Sequence, residues 1–242
     1  MFEKGFDKIN LNNELNNAVI AGEVNKVKAL FEAEEKPYVD HEINGVAVIL
    51  YAAQHKNWEI VEELYNQEAN LDVKIPYLDW HLVHECIKNA PDRVTKAIIE
   101  YCNLNVKTKE GKTPLMVAIS ENKIEMANYL VDLGTSDLSL VDKKNNNVAH
   151  YAAKTNNYDL LLKLIEKNVS LNQLNSDKIT PIDLIQDVSF KENLPKIIGQ
   201  LRKIKEKENE KKVVSSVEVL NEKETIIEEK PKVKGLSSIK RK

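Results

Sequence analysis

A repeating interval constrains this chain more than any other feature of its sequence. Six short segments, Leu15–Ala18, Ile49–Ala52, Val83–Cys86, Leu115–Ala118, Ala149–Ala152 and Ile182–Ile185, share one template of apolar, variable, variable, small or apolar. Their fourth residues follow one another at intervals of 34, 34, 32, 34 and 33 residues. A period near 33 marks stacked supersecondary units, each too small to bury its apolar face alone.

Within a copy a second pattern at helical spacing follows the first, as in Val24, Val27, Leu30 and Phe31, in Ile60, Val61 and Leu64, and in Leu160, Leu161, Leu164 and Ile165. Each copy therefore reads as a helical hairpin. Gly22, Asn122 and Asn156 fall between the paired helices, and Gly134 and Asn168 close second helices. These places call for left-handed backbone, which Asn visits more readily than other non-glycine residues. With only 7 glycines in 242 residues, the chain uses Asn in their stead. An aliphatic core fits the same picture, since 42% of residues are hydrophobic but only 6% aromatic.

Three stretches resemble the signature of the ankyrin-repeat family: Glu110-Gly-Lys-Thr-Pro-Leu115 running on to Ala118, Lys178-Ile-Thr-Pro-Ile182, and Ala149-His-Tyr-Ala-Ala153. Copies three and five keep that family's histidine as His84 and His150, and copies two and four replace it with Leu50 and Met116. The pairs Thr113-Pro114 and Thr180-Pro181 are helix starts, Thr capping exposed amides and Pro pre-setting the first helical φ. The resemblance covers residues from about 10 to about 205. It implies an all-α ankyrin-repeat solenoid of about six helix-turn-helix units with short hairpin loops, spanning 1–205, with units near 8–40, 41–74, 75–107, 108–141, 142–174 and 175–205.

Copy three departs most, with Ile75-Pro-Tyr-Leu-Asp-Trp-His81 in place of a polar, Gly-containing turn and Ala90-Pro91 breaking its inter-helix loop. Copy one carries extra residues at Glu34–Pro37, and copy six has Asp183 at the histidine position. Both suit end caps, which seal the apolar ends of a stack. Residues 206–242 hold no aromatic side chain and consist largely of Lys and Glu with Val, Ser and Pro. Burial there is too small to offset chain entropy, so a charged, disordered tail is expected.

Near-cancelling charge, formally −3, argues against nucleic acid as partner. The longest apolar run, Val46–Ala53, is far short of a membrane span, and the interrupted N-terminal stretch reads as no cleaved export signal. With two cysteines, Cys86 and Cys102, the chain fits a reducing cytoplasm. Gly111-Lys112-Thr113 mimics the end of a phosphate-binding loop, but Val106 stands where that loop needs glycine. His81, His84, Glu85 and Cys86 invite a metal reading; His84 and Cys86, however, fall on structural positions of the template, so neither metal nor cofactor is expected. No nucleophile, acid or base constellation stands out, and the chain reads as a non-enzyme.

The resemblance instead implies protein recognition through hairpin tips and first-helix faces that line a concave groove, with the chain monomeric when alone. In copy two this points to Ile43, Asn44, Val46 and His55, and in copy three to Tyr77, Leu78, Trp80 and Lys88. Copies four and five add Lys109, Glu110, Lys112, Lys143, Lys144, Asn146 and Lys154, making one end apolar and the other basic. Tyr77 and Trp80 are the anchor candidates, because aromatic side chains offer large contact area at small rotamer cost. The unfolded, Glu-containing tail also resembles translocation signals of effectors delivered by intracellular bacteria. A substrate-docking or scaffold subunit of an enzyme complex is the other expectation.

Overall fold

The structure, a computed structural model, describes the backbone of residues 3–207 and the side chains of residues 10–207. The disordered tail expected over 206–242 thus lies, beyond residue 207, outside the described residues. The chain divides into two units, up to Lys191 and from Glu192 onward.

Ten α-helices form five successive hairpins in the first unit: α1 (Glu3–Ala21) with α2 (Val24–Glu32), α3 (Val48–Gln54) with α4 (Trp58–Asn66), α5 (Leu82–Asn89) with α6 (Asp92–Ile99), α7 (Pro114–Ser120) with α8 (Ile124–Leu133), and α9 (Val148–Lys154) with α10 (Tyr158–Glu166). First helices pack on the first helices of neighbouring copies along the run α1, α3, α5, α7, α9, and second helices pair as α2 with α4, α4 with α6 and α8 with α10. Two short antiparallel ribbons accompany the helices, β1 (Glu42–Ile43) with β2 (Val46–Ala47) and β3 (Lys74–Ile75) with β4 (Trp80–His81). In the second unit residues 192–207 are helical.

The template's fourth position explains the period. Ala18, Ala52, Cys86, Ala118 and Ala152 are all fully buried, where a small side chain lets adjacent helices close in. Their carbonyls close the inter-helix turns: Ala18, Ala52, Ala118 and Ala152 accept the backbone N–H five residues on, from Glu23, Asn57, Lys123 and Asn157, at 2.8–3.0 Å. Each such turn passes through a left-handed residue, Gly22, Lys56, Asn122 or Asn156. Glu68 and Asn168 do the same after α4 and α10. Lys56 and Glu68 were not marked by the Gly and Asn pattern; the turn is imposed there by the helices it joins.

Copy three solves the same problem differently. Pro91 has no N–H and holds extended backbone, so no left-handed turn follows α5. The Cys86 carbonyl instead accepts the Ala90 N–H at 2.8 Å and the buried Thr95 hydroxyl at 3.0 Å. Copy six is also abbreviated: Thr180-Pro181 opens only a single 3-10 turn, Ile182–Leu184, where a full first helix was expected. Asp187 accounts for this, since its Oδ1 accepts the Phe190 N–H at 2.9 Å and so starts the next helical segment only three residues beyond the turn.

Candidate partner-binding face

The tips joining successive copies are built by a second repeat within the first. Thr108, Asp142 and Asn175, spaced 34 and 33 residues apart, each accept the N–H four residues on through a side-chain oxygen, at 3.2, 2.8 and 3.0 Å. Gly111, Asn145 and Lys178 supply the left-handed residue of the same turns. The tips then join one another. Lys109 N–H donates to the Leu78 carbonyl at 2.9 Å, Lys143 N–H to that of Glu110 at 3.0 Å, and Ser176 N–H to that of Lys144 at 2.8 Å. A backbone ladder therefore runs from the tip of copy three to that of copy six, and it fixes the register of every exposed side chain along it. At Gly111 the approach is so close that an added Cβ would lie 2.7 Å from the Lys143 nitrogen.

Along this row, Lys109, Lys143, Lys144 and Lys178 are exposed, and none has a carboxylate at ion-pair distance among the described residues. Lys112 is half-buried with Nζ 5.8 Å from the centre of the Tyr151 ring. The Tyr151 hydroxyl donates to Asp142 Oδ2 at 2.7 Å, and Asn146 donates to the same carboxylate through its backbone and side-chain nitrogens. Burial opposes the Asp142 charge, yet the bonds from Asn146 and Tyr151 outweigh it and hold the carboxyl below its ordinary range. Sequence reasoning named Asn146 as a tip residue but passed over its cluster with Asp142 and Tyr151, whose other trace was Asp142 recurring at the turn-starting interval.

At the tip of copy three, β3 and β4 pair Lys74 with His81 and Ile75 with Trp80. The intervening loop carries two left-handed non-glycine residues, Tyr77 (φ 73°) and Asp79 (φ 47°). A Lys74 Nζ to Asp79 Oδ1 contact at 2.7 Å ties the loop across. That bond and the Lys74 charge depress the Asp79 carboxyl, and the Lys143 charge adds to the effect from two tips away. Tyr77 is left 94% exposed and Leu78 51% exposed.

Trp80 behaves otherwise. It is half-buried, its Nε1–H donates to Glu85 Oε2 at 2.7 Å, and its ring lies against His84 at 5.3 Å. Asn89 completes the clamp by donating to Glu85 Oε1 at 2.6 Å. Lys88 is exposed, 5.7 Å from the Trp80 ring and 3.5 Å from Glu121.

Copy two contributes less surface than its sequence suggested. Ile43 is buried and belongs to the core, because strand alternation in β1 turns it inward; its expected exposure is corrected. Val46 is half-buried against the same cluster. Asn44 and His55 remain exposed, Asn44 in the turn with Gly45 and His55 stacked on Tyr51 at 4.2 Å. Lys154, at the end of α9, is exposed as well.

The face carries little that could do chemistry. Burial pushes the Cys86 thiol up and that of Cys102 to about 12, so neither is a thiolate near neutral pH. Among the described residues no three His, Cys, Asp or Glu side chains gather as metal ligands, and no helix is long and apolar enough to cross a membrane. Residues 82–175 match the family model of ankyrin repeats, in three copies. No curated protein matches the chain.

Proposed function

Because the chain is an ankyrin-repeat protein, we propose that it works by holding a partner protein on the row of tips and first-helix faces of copies two to six, performing no reaction itself. The six-copy organisation, residues 1–205, is part of this reading. One observation carries it: Tyr77 stands 94% exposed on a loop whose backbone is tied by the Lys74–Asp79 pair and by the ladder bond to the Leu78 carbonyl. Tyrosine is among the side chains enriched where interface energy concentrates. Asn44, His55, Leu78, Lys88, Lys109, Lys112, Lys143 and Lys144 belong to the same proposed face, with the side of Trp80 that Glu85 leaves open.

The test is affinity capture from a eukaryotic lysate with the full chain and with Tyr77→Ala/Leu78→Ala, followed by binding measurements on what is captured. Loss of about 2 kcal/mol or more in the double variant is expected for an anchor pair; equal affinity removes the tip of copy three from the site. A narrower reading places the protein in a host cytoplasm as a delivered effector. It rests on the tail with Glu222, Glu224, Glu228 and Glu229, and a translocation assay with and without residues 206–242 decides it. Co-purification of an enzyme whose substrate binds the tips would favour the docking-subunit alternative.

A further inference from the structure

The tip row has a chemistry that narrows its occupant, and the inference rests on the protein-binding reading above. Stacked helical copies lie about 8–10 Å apart, so equivalent residues on successive tips recur at about that interval. Along the ladder this spacing orders an apolar station, Tyr77 and Leu78, and then three cationic ones: Lys109, Lys143 with Lys144, and Lys178. An extended chain in the polyproline II conformation advances about 3.1 Å per residue with three residues per turn, which returns a side chain to the same face every 9 Å or so. The two periods agree.

We propose that the partner segment is an extended acidic peptide, an apolar residue seated on Tyr77 and Leu78 followed by carboxylates at three-residue intervals that meet the lysines of copies four, five and six. Among the described residues none of these lysines has a carboxylate at ion-pair distance, so a carboxylate from outside displaces no ion pair there. Charge complementarity also speaks against a nucleic acid in this place. A nucleic acid strand carries a charge at every nucleotide and would meet Glu110, Asp142 and Asp177, the sequence neighbours of Lys109, Lys143 and Lys178. A peptide can lay neutral residues over those carboxylates.

The probe is a fluorescein-labelled peptide, Leu-Pro-Pro-Glu-Pro-Pro-Glu-Pro-Pro-Glu, titrated into the full chain at about 0.05 M and about 0.3 M salt. Three controls accompany it: the Gln version, a version with the three glutamates adjacent, and a thymidine oligonucleotide. The expected result is saturable binding that weakens with salt, falls about tenfold or more in the Lys109→Glu/Lys143→Glu/Lys144→Glu protein, and is restored there by the peptide with Lys in place of Glu. The adjacent-glutamate peptide should bind less well. Equal binding of the Gln peptide, indifference to lysine reversal, or tighter binding of the oligonucleotide overturns the proposal, as does a dimer of the chain that masks the face. A captured protein lost in Tyr77→Ala/Leu78→Ala but unaffected by lysine reversal would sink the acidic class and leave protein binding standing. If the peptide binds by its charges and nothing is lost in the Tyr77/Leu78 variant, the anchor fails instead.

Discussion

Copies three and five place a histidine at the same template position, and the two fare differently. His150 accepts the Asn147 N–H through Nδ1 at 3.2 Å, and its Nε2 faces the Ile179 carbonyl of the next tip at 3.1 Å. His84 accepts the His81 N–H at 3.1 Å, but its buried Nε2 has no partner in good hydrogen-bond geometry, and the backbone of Lys112 and Val106 only partly favours its charged form. The two histidines share a template position, but their junctions to the following tip differ. In copy five a buried Asn147 caps α9, while in copy three His81 stands at the start of α5 and Trp80 beside it bonds Glu85. The aromatic clamp and the exposed Tyr77 thus come together with an imperfectly satisfied interior, which is where recognition and stability compete.

The sharpest way to break this contrast is at the tips themselves. Gly45 and Gly111 both sit at positive φ, 78° and 83°, yet an added Cβ meets nothing within 4 Å at Gly45 and strikes the Lys143 and Asp142 backbone at Gly111. An L-residue in left-handed backbone costs roughly 1–2 kcal/mol, and that is the whole expectation for Gly45→Ala. Gly111→Ala adds forced displacement of a neighbouring tip, for a total of about 3–4 kcal/mol. Urea unfolding of the two variants measures the difference; equal losses would mean the ladder is not a rigid element.

The histidine pair predicts a pH dependence. Burial, reinforced by the neighbouring His81 charge, lowers the His84 pKa to about 4, and burial lowers His150 in the same direction. The unfolded chain takes up a proton near pH 6.5 while the folded one does not. Stability is therefore complete above that pH, declines as pH falls from about 6.5 towards 4, and levels off once folded His84 is protonated too. The decline attributable to His84 is about 3 kcal/mol. His84→Gln should flatten the stability profile across that window more than His150→Gln does, and identical profiles would place the unpaired Nε2 in water.

Much of this was legible in the sequence because it follows from periodicity. The interval of the template located Ala18, Ala52, Cys86, Ala118 and Ala152, all fully buried, and the Thr113-Pro114 start followed from the family resemblance and its capping chemistry. What escaped has a common cause. Ile43 was placed on the surface because a two-residue strand is too short to show alternation. The turns at Lys56 and Glu68 carry no residue that advertises a positive φ. The Thr95 bond to the Cys86 carbonyl and the Trp80 bond to Glu85 answer to geometry that only folding brings together.

Caps offer a smaller test of the same contrast. Asn147 accepts from the buried His150 N–H at 3.2 Å and donates to the Ser170 carbonyl at 2.8 Å and to Gln173 Oε1 at 3.2 Å, so Asn147→Ala leaves a buried donor and two part-buried acceptors unmatched and should cost about 2 kcal/mol. Thr113 makes a single long cap bond to Met116 N–H, 3.4 Å, and Thr113→Ala should cost about 1 kcal/mol by thermal unfolding. The reverse ranking would show that the junction between copies five and six contributes less than its bonds suggest.

Tyr77 and Trp80 separate binding from folding within one tip. Trp80 spends its indole N–H on Glu85 and part of its ring on His84, so Trp80→Ala removes packing and takes one donor from the Glu85 carboxylate, which keeps its bond from Asn89. A loss of about 2 kcal/mol in stability is expected from those two effects together. Tyr77 touches almost nothing, and its left-handed backbone favours no bulky side chain, so Tyr77→Ala should leave the unfolding midpoint within about 0.5 kcal/mol of wild type. Tyr77→Gly sharpens the point: relieving the positive φ of 73° should make the fold slightly more stable while removing the proposed anchor. A Tyr77→Gly protein that is less stable than wild type would mean the ring supports the hairpin, and the case for presenting it to a partner would fall with that result.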